Sequence, residues 1–408
     1  MENQELIPHL FRTEFRKITA VLCKLFGSSH LEQAEDIASE TFLAALENWT
    51  FQGVPENPVA WLYTVAKNKA RNYLHRTGTY QHKVLVQLKY ALPDTEQFAL
   101  DLSEGNITDS QLQMLFAVCH PGISAKAQVG LALRILCGFG IDEIATAFLT
   151  NRETINKRLY RAREKLREAA IAIEFPPPAE IEKRLESVLT TLYLLFSEGY
   201  YSESADSVVR AELCMEAIRL THLLLEYEPT CLPQVNALLA LEYFQASRLD
   251  ARISETGETV RYADQDISRW NEGFISNGAY YLNRASGAAS ISSYHLEAAI
   301  AYWYTVKNDS VEKWQQILSL FDQLLEIKYS PVTALNRIYA YAKVYSGQAA
   351  IIEAEKLNFT TSHFYYLLLG DLYTGIDNQK ASYHLEKAYS LARSVAEQKT
   401  IRKKIDLL

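Results

Sequence analysis

The stretch Asn57-Pro58-Val59-Ala60-Trp61-Leu62-Tyr63-Thr64-Val65-Ala66-Lys67-Asn68-Lys69-Ala70-Arg71-Asn72-Tyr73-Leu74-His75-Arg76 reads as one helix with two chemically different sides. Asn57 can cap the free amides, and Pro58 suits the first helical position, where its missing N–H costs nothing. Leu62, Val65, Ala66, Ala70, Tyr73 and Leu74 fall on one stripe at helical spacing. Lys67, Arg71, His75, Thr64 and Asn68 lie opposite. Lys69 falls inside the apolar arc, so its ammonium has to snorkel out along its own methylenes. From Trp61 to Arg76 there are four Lys/Arg and no acid. A positive face that also carries Asn, Trp and Tyr suits backbone phosphates together with unstacked bases. Its candidate DNA contacts are Asn57, Trp61, Tyr63, Lys67, Asn68, Arg71, His75 and Arg76. The preceding loop, residues 50–57, offers a wall for an extruded base.

Upstream, Glu32–Trp49 has the same period. Ala34, Ile37, Ala38, Thr41, Phe42, Ala45 and Trp49 make the inward stripe. Asp36, Glu40, Leu43, Leu46 and Glu47 lie away from it. Leucines set among acids point to a protein partner whose surface is basic and partly apolar.

Downstream, Gly140-Ile141-Asp142-Glu143-Ile144-Ala145 opens a short helix expected to run through Leu149. Thr150 and Glu153 stand at capping-box spacing before a second helix to Arg167. Ile155, Leu159, Ala162 and Leu166 bury one face of it. Arg152 to Arg167 contains seven Lys/Arg against two Glu. A short helix, a polar turn and a basic second helix are the pattern of a helix-turn-helix, whose second helix enters the major groove. Arg152, Glu153, Thr154, Asn156, Lys157, Arg158 and Arg161 are its candidate contacts.

Together these residues resemble a known family. Ala34-Glu35-Asp36-Ile37, Glu40-Thr41-Phe42 and Trp61-Leu62-Tyr63-Thr64-Val65-Ala66-Lys67-Asn68 are similar to region 2 of the extracytoplasmic-function (ECF) sigma-70 factors. Glu143-Ile144-Ala145 and Thr154-Ile155-Asn156-Lys157-Arg158-Leu159-Tyr160-Arg161-Ala162-Arg163 are similar to their region 4. The resemblance implies that region 2 docks on the β′ clamp helices of core RNA polymerase, then opens and reads the minus-10 element. Asp36, Glu40, Leu43, Leu46 and Glu47 would hold the polymerase. Region 4 would read the minus-35 element of promoter DNA and touch the β flap. Two positions depart from the family pattern: Asn72 stands where Asp is usual, and Gly140 replaces a Ser/Thr cap.

The remaining residues read as a long helical tail. Tyr366, Leu369-Gly370, Tyr373, Ala381, Leu385 and Ala388 follow a tetratricopeptide spacing, one residue short at the turn Gly375-Ile376-Asp377-Asn378. Phe196-Ser197-Glu198-Gly199-Tyr200, Leu213 to Leu220 and Asp264 to Trp270 resemble the ECF subgroup with a tetratricopeptide-like C-terminal extension. The expected fold is all-α: region 2 over 1–78, a linker over 79–108, region 4 over 109–175, and a helical-repeat tail over 179–408 with space for about six repeats. Pro176-Pro177-Pro178 is expected to stop a helix and mark the boundary. Such a tail presents a surface for a protein or peptide partner.

Composition narrows the alternatives. The net charge of −8 divides unevenly: residues 1–178 hold 19 Lys/Arg against 20 Asp/Glu, which leaves 22 against 29 in the remainder. The acidity therefore belongs mostly to the tail, and the two basic helices keep their local attraction for phosphate. Met1-Glu2-Asn3-Gln4-Glu5 is too polar for a signal peptide, and no apolar run approaches the roughly 18 residues of a membrane span. Cys23, Cys119, Cys137, Cys214 and Cys231 form no CxxC pair and read as buried thiols in a reducing cytoplasm. No metal, cofactor or catalytic residue is expected, since no nucleotide, zinc or nucleophile motif occurs. Glu198, Asp264 and Asp266, which in principle form a carboxylate site, read equally well as capping and inter-helix hydrogen bonds.

Overall fold

The computed structural model describes residues 3–76, 100–148, 150–200, 207–252, 260, 262–288, 290–392 and 395–408. All regular elements among them are helical, so the chain is all-α as its periodicities require. None of the described helices is long and apolar enough to cross a membrane. The chain divides into two compact units, Met1–Glu198 and Gly199–Leu408.

The first unit holds α1 (Asn3–Phe26), α2 (Leu31–Gln52), α3 (Pro58–Arg76), α4 (Glu104–Val118), α5 (Ala125–Leu131), α6 (Ile141–Ala147), α7 (Arg152–Glu168) and α8 (Pro178–Tyr200). Helix α2 buries every residue of its expected stripe, together with Leu31 and Glu35. Gly53 ends it at φ 81°, donating its N–H to Trp49 O, a conformation a Cβ would strain. Asn57 caps α3 as its type suggests, its Oδ1 accepting the Ala60 N–H at 3.0 Å.

Two boundaries differ from the sequence expectation. Of the expected linker, residues 79–99 lie outside the described residues, and residues 104–108 form the first turn of α4. There the Asp101 carboxylate accepts the Ser103 N–H and Asn106 donates to Asp101 O, which lets the helix start despite Gly105. The prolines do not stop α7. It ends at Glu168, where Ala170 turns left-handed at φ 45° and Ile171 N–H reaches back to Leu166 O. Pro178 instead opens α8, the position its fixed φ favours. Most of α8 belongs to the first unit: Arg184 donates to Phe116 O, Ser187 to Cys119 O, and Thr191 to the buried Gln128 Oε1. By contact the division therefore falls at Glu198/Gly199 rather than at the prolines.

The second unit contains ten described helices, enough for five pairs: α9 (Ser207–Glu226), α10 (Pro233–Ala246), α11 (Glu272–Ala285), α12 (Ser293–Thr305), α13 (Val311–Ile327), α14 (Pro331–Val344), α15 (Gly347–Leu357), α16 (His363–Tyr373), α17 (Asn378–Leu391) and α18 (Val395–Asp406). Ser310, Ser330, Ser346 and Asp377 each start a helix by accepting an N–H three residues on. The core follows the chain in local clusters. Leu296, Ile300, Trp314, Ile317 and Phe321 form one, Ile338, Ala350, Ala354, Leu369 and Tyr373 the next, and Leu385, Ala388 and Ile401 the last. Most helices thus bury their apolar faces on helices one or two along the chain, as Phe244 of α10 meets Tyr302 of α12, the economy of stacked helix pairs.

Helices α16 and α17 approach so closely at Gly370 that a Cβ there would lie 2.7 Å from the buried Leu385 side chain. Gly370→Ala is expected to lose about 1–3 kcal/mol to overpacking, against which its better helix propensity returns less than about 1 kcal/mol. A thermal melt of the variant that is unshifted or raised contradicts this packing.

Candidate polymerase and nucleic-acid interface

Helix α2 turns Asp36, Glu40, Leu43, Leu46 and Glu47 to solvent, with Leu43 54% and Leu46 48% exposed. Partial burial and the neighbouring carboxylates of Glu35, Glu32 and Glu40 hold Asp36 above the usual carboxylate range. The carboxylates beside it make this end of α2 a concentration of negative charge, which favours a basic partner. Glu40 is tied to Lys69 of α3 at 2.8 Å, which is where the snorkelling ammonium goes.

On α3, Leu62, Ala66, Ala70 and Leu74 are buried, while Asn57, Thr64, Asn68, Arg71, Asn72, His75 and Arg76 are exposed and Lys67 is half-buried. Trp61 is half-buried and meets Trp49 edge-on at a centroid distance of 5.3 Å. Tyr63 of the candidate set is half-buried. Its hydroxyl donates to Glu14 Oε2 at 2.7 Å, and burial together with that carboxylate pushes the phenol pKa up. The bond ties the tip of that ring to the buried Glu14. Of the stretch 50–57, expected as a loop that walls an extruded base, residues 50–52 form the end of α2, and Phe51 there is 89% exposed beside the Gly53 turn.

The α6–α7 pair forms with different caps from those expected. Leu149 lies outside the described residues, and α6 is described to Ala147. Gly140 has no side chain to cap with, so Glu143 closes the end from the other direction, accepting the Gly140 N–H at 2.6 Å. Before α7 the cap is Asn151, whose Oδ1 takes the Thr154 N–H at 2.8 Å, and not Thr150. The helix starts one residue later than the box spacing implied, and Glu153 pairs with Lys157 at 2.7 Å.

Arg152, Glu153, Thr154, Asn156, Lys157 and Arg161 are exposed on α7, as is Tyr160. Arg152 makes a loose pair with Asp142 at 3.4 Å. Arg158 is half-buried, with its guanidinium 5.1 Å from the centre of the Phe148 ring, a cation–π contact of about 0.5–2 kcal/mol. A groove beside α7 is lined by Ser124, Thr154, Lys157, Arg158, Arg161 and Lys165, four of them cationic, which suits an anionic ligand such as phosphate.

Asp266 of the candidate carboxylate set accepts both the N–H and the hydroxyl of Ser268, a turn-capping role. The described residues contain no group of three or more His, Cys, Asp or Glu that could hold a metal ion.

Known proteins bear on these surfaces. The family Sigma-70 region 2 matches residues 10–79, the segment that carries α1 from Leu10, α2 and α3. The RNA polymerase sigma factor YlaC of Bacillus subtilis is 29% identical over 174 residues, 41% of this chain and 93% of that protein. Residues 10–79 are a sigma-70 region 2 segment, and with that relative they support a sigma-70 family factor. Along most of its length the factor also belongs to one family with the uncharacterized protein R00370 of Rhizobium meliloti, to which it is 32% identical over 384 residues, 93% of this chain and 90% of the relative. A family of unknown function (DUF6596) matches residues 184–286, which begin inside α8 and run to the end of α11. The family match and the contact division therefore disagree about α8: the first groups it with α9, α10 and α11, the second with α1 to α7. No solved structure matches the factor.

Proposed function

We propose that the factor is an alternative sigma factor of the ECF type, which binds core RNA polymerase and directs it to promoters from the cytoplasm. One juxtaposition supports this reading most. Within the segment matched as sigma-70 region 2, an exposed acidic face with two leucines on α2 is tied by the Glu40–Lys69 pair, 2.8 Å, to the acid-free basic helix α3. The first suits the clamp helices of the polymerase β′ subunit, the second the minus-10 strand as it opens. Promoter opening asks no bond chemistry of the factor. It asks that the single-stranded element bind better than the duplex, and base–aromatic stacking of roughly 1–3 kcal/mol per base is of the size needed to offset unstacking. Trp61 and Phe51 are the rings we assign to it.

The α6–α7 helix-turn-helix is assigned to the minus-35 element, with Asn156, Lys157 and Arg161 as its foremost contacts and the β flap as its second partner. Lys157→Ala or Arg161→Ala is expected to weaken initiation about tenfold on promoters that carry this element, and little on those that lack it. Equal losses on both classes assign those side chains elsewhere. The second unit is read as a tetratricopeptide-like domain that modulates initiation by holding a protein or peptide partner on stacked helix pairs. Transcription reconstituted with sigma-free core polymerase tests the whole reading: the factor alone must restore specific initiation. A chain ending after Tyr200, which keeps α8 on the first unit, measures what the second unit contributes.

A further inference from the structure

Two positive charges are buried close together in the second unit. Arg248, just past the end of α10, is 7% exposed, and Lys313, in the first turn of α13, is 2% exposed. Arg248 donates to the Tyr200 hydroxyl at 3.3 Å, and Lys313 Nζ to the Tyr262 hydroxyl at 2.8 Å and to Val306 O at 2.7 Å. Both cations lie against the Tyr262 ring, 5.6 and 5.3 Å from its centre. A third, Lys343 of α14, lies over the rings of Trp314 and Tyr339. Among the described residues the one acid in ion-pair reach of the three is Asp309, 3.6 Å from Lys343, and it also accepts the Trp314 indole N–H at 2.5 Å. Burial, and then the like charges of Arg248 and Lys343, hold the Lys313 ammonium below the usual lysine range, against the opposing pull of Asp309. Buried cations that repel one another are costly, and ring faces return only part of that cost. Two buried N–H donors in the same corner have no acceptor: Arg248 Nε, and Nε1 of Trp270, whose ring stacks on Tyr262 at 6.3 Å. The charges and the donors call for the same complement, an anion.

We propose that this corner is an oxyanion site, in which Arg248, Lys313 and Lys343 take the carboxylate or phosphate group of a small molecule. Burial sets the size of the ligand. A peptide backbone or a duplex cannot lie along Arg248 and Lys313, whereas a single terminal group reaches them past Lys343 and Asp309, whose side chains are 36% and 58% exposed. Tyr262, Tyr304, Trp314 and Tyr339 follow one another in edge-on contacts of 4.9, 5.9 and 5.6 Å beside the cations, a lining that suits a ligand with a flat apolar body. Asp309 is the group such an anion displaces. Its hold on Lys343 is loose at 3.6 Å, and an anion that also meets Arg248 and Lys313 gains three cations where Asp309 has one. Bound there, the ligand fastens the end of α10 and the turn at Tyr262 to α12, α13 and α14. The site lies wholly in the second unit, so it stands whatever the first unit binds.

The test is the melting midpoint of the full chain in sodium phosphate, and separately in sodium benzoate, against sodium chloride at the same ionic strength. A ligand that binds only the folded chain raises the midpoint with concentration, and the rise reports its affinity. The parent should melt higher in at least one of the two anions, and the arm that responds tells a phosphate ligand from a carboxylate. Arg248→Gln should lower the apparent affinity about tenfold or more, and so should Lys343→Gln, which leaves the buried groups in place. Asp309→Asn keeps an acceptor for Trp314 and removes the competing charge, so it should tighten binding about two- to fivefold. No rise over chloride in either anion overturns the proposal. So does a rise of parental size in both Arg248→Gln and Lys343→Gln, which assigns the effect to general salt stabilisation or to the cationic groove beside α7. If Arg248→Gln folds poorly, the opposite shifts of Lys343→Gln and Asp309→Asn still decide.

Discussion

Lys67→Ala combined with Arg71→Ala is expected to abolish open-complex formation while polymerase binding stays intact. Both side chains stand on the α3 face opposite the buried Leu62, Ala66, Ala70 and Leu74. No acid lies on α3 to compensate them, so their charge is available to phosphate. Each such contact contributes to affinity through counterion release, and losing two at once removes a large share of what must offset unstacking. Open complexes should fall about a hundredfold or more, with the salt dependence of promoter binding flattened by roughly two phosphate contacts. Lys69 is the internal control. Its ammonium is held by Glu40 at 2.8 Å on the docking side, so Lys69→Ala removes an exposed ion pair of about 0–1 kcal/mol and should leave opening nearly unchanged. Permanganate reactivity of the melted element measures all three variants. Full reactivity in the double variant sinks the assignment of α3 to strand opening.

What the sequence made legible was periodicity, and what it hid was pairing between distant segments. The stripe of α2 is buried throughout, and that of α3 at Leu62, Ala66, Ala70 and Leu74 with Val65 and Tyr73 half-buried at its edges, because the apolar arcs leave each helix one way to face the core. The caps were half legible. Asn57 sits before a proline and a basic run, whereas Thr150 and Asn151 are both competent caps, and only the exit of α6 decides between them. Tyr63 and Arg158 each have a partner in another segment, Glu14 and Phe148, which no local pattern could have named. Glu35 did leave a trace. At about 100° per residue it falls roughly 20° from Phe42, at the rim of the apolar arc, and an acid there calls for a buried cation. Which cation could not be read, since Arg134 and Arg163 lie about a hundred or more positions away. The prolines can be read two ways for a related reason. Their stiffness suggests a boundary, but Pro178 is also a good first helical residue, and the partners of α8 are backbone carbonyls of α4.

The second large effect concerns docking. Leu43→Glu with Leu46→Glu should weaken binding to core polymerase by at least about a hundredfold, the loss expected when two apolar anchors at the centre of an interface become charges. The two leucines stand about half exposed and have little to do in the fold, so the variant should melt with the parent. This separates docking from stability, which a change at the buried Phe42 cannot do. Glutamate is the stringent choice of substituent. If a basic surface met α2 by charge alone, two more acids would strengthen binding, and affinity would rise. A fall shows that the surrounding acids at Asp36, Glu40 and Glu47 steer the partner while the leucines hold it, the usual division between rim charges and a desolvated centre. Competition against the parent for core polymerase at two salt concentrations reads both contributions. The leucine loss should persist at high salt, whereas the loss in Asp36→Asn with Glu47→Gln should shrink as the steering field is screened. Parent-like competition by the leucine variant at either salt removes α2 from the docking surface and leaves α3 as a basic helix without a polymerase to serve.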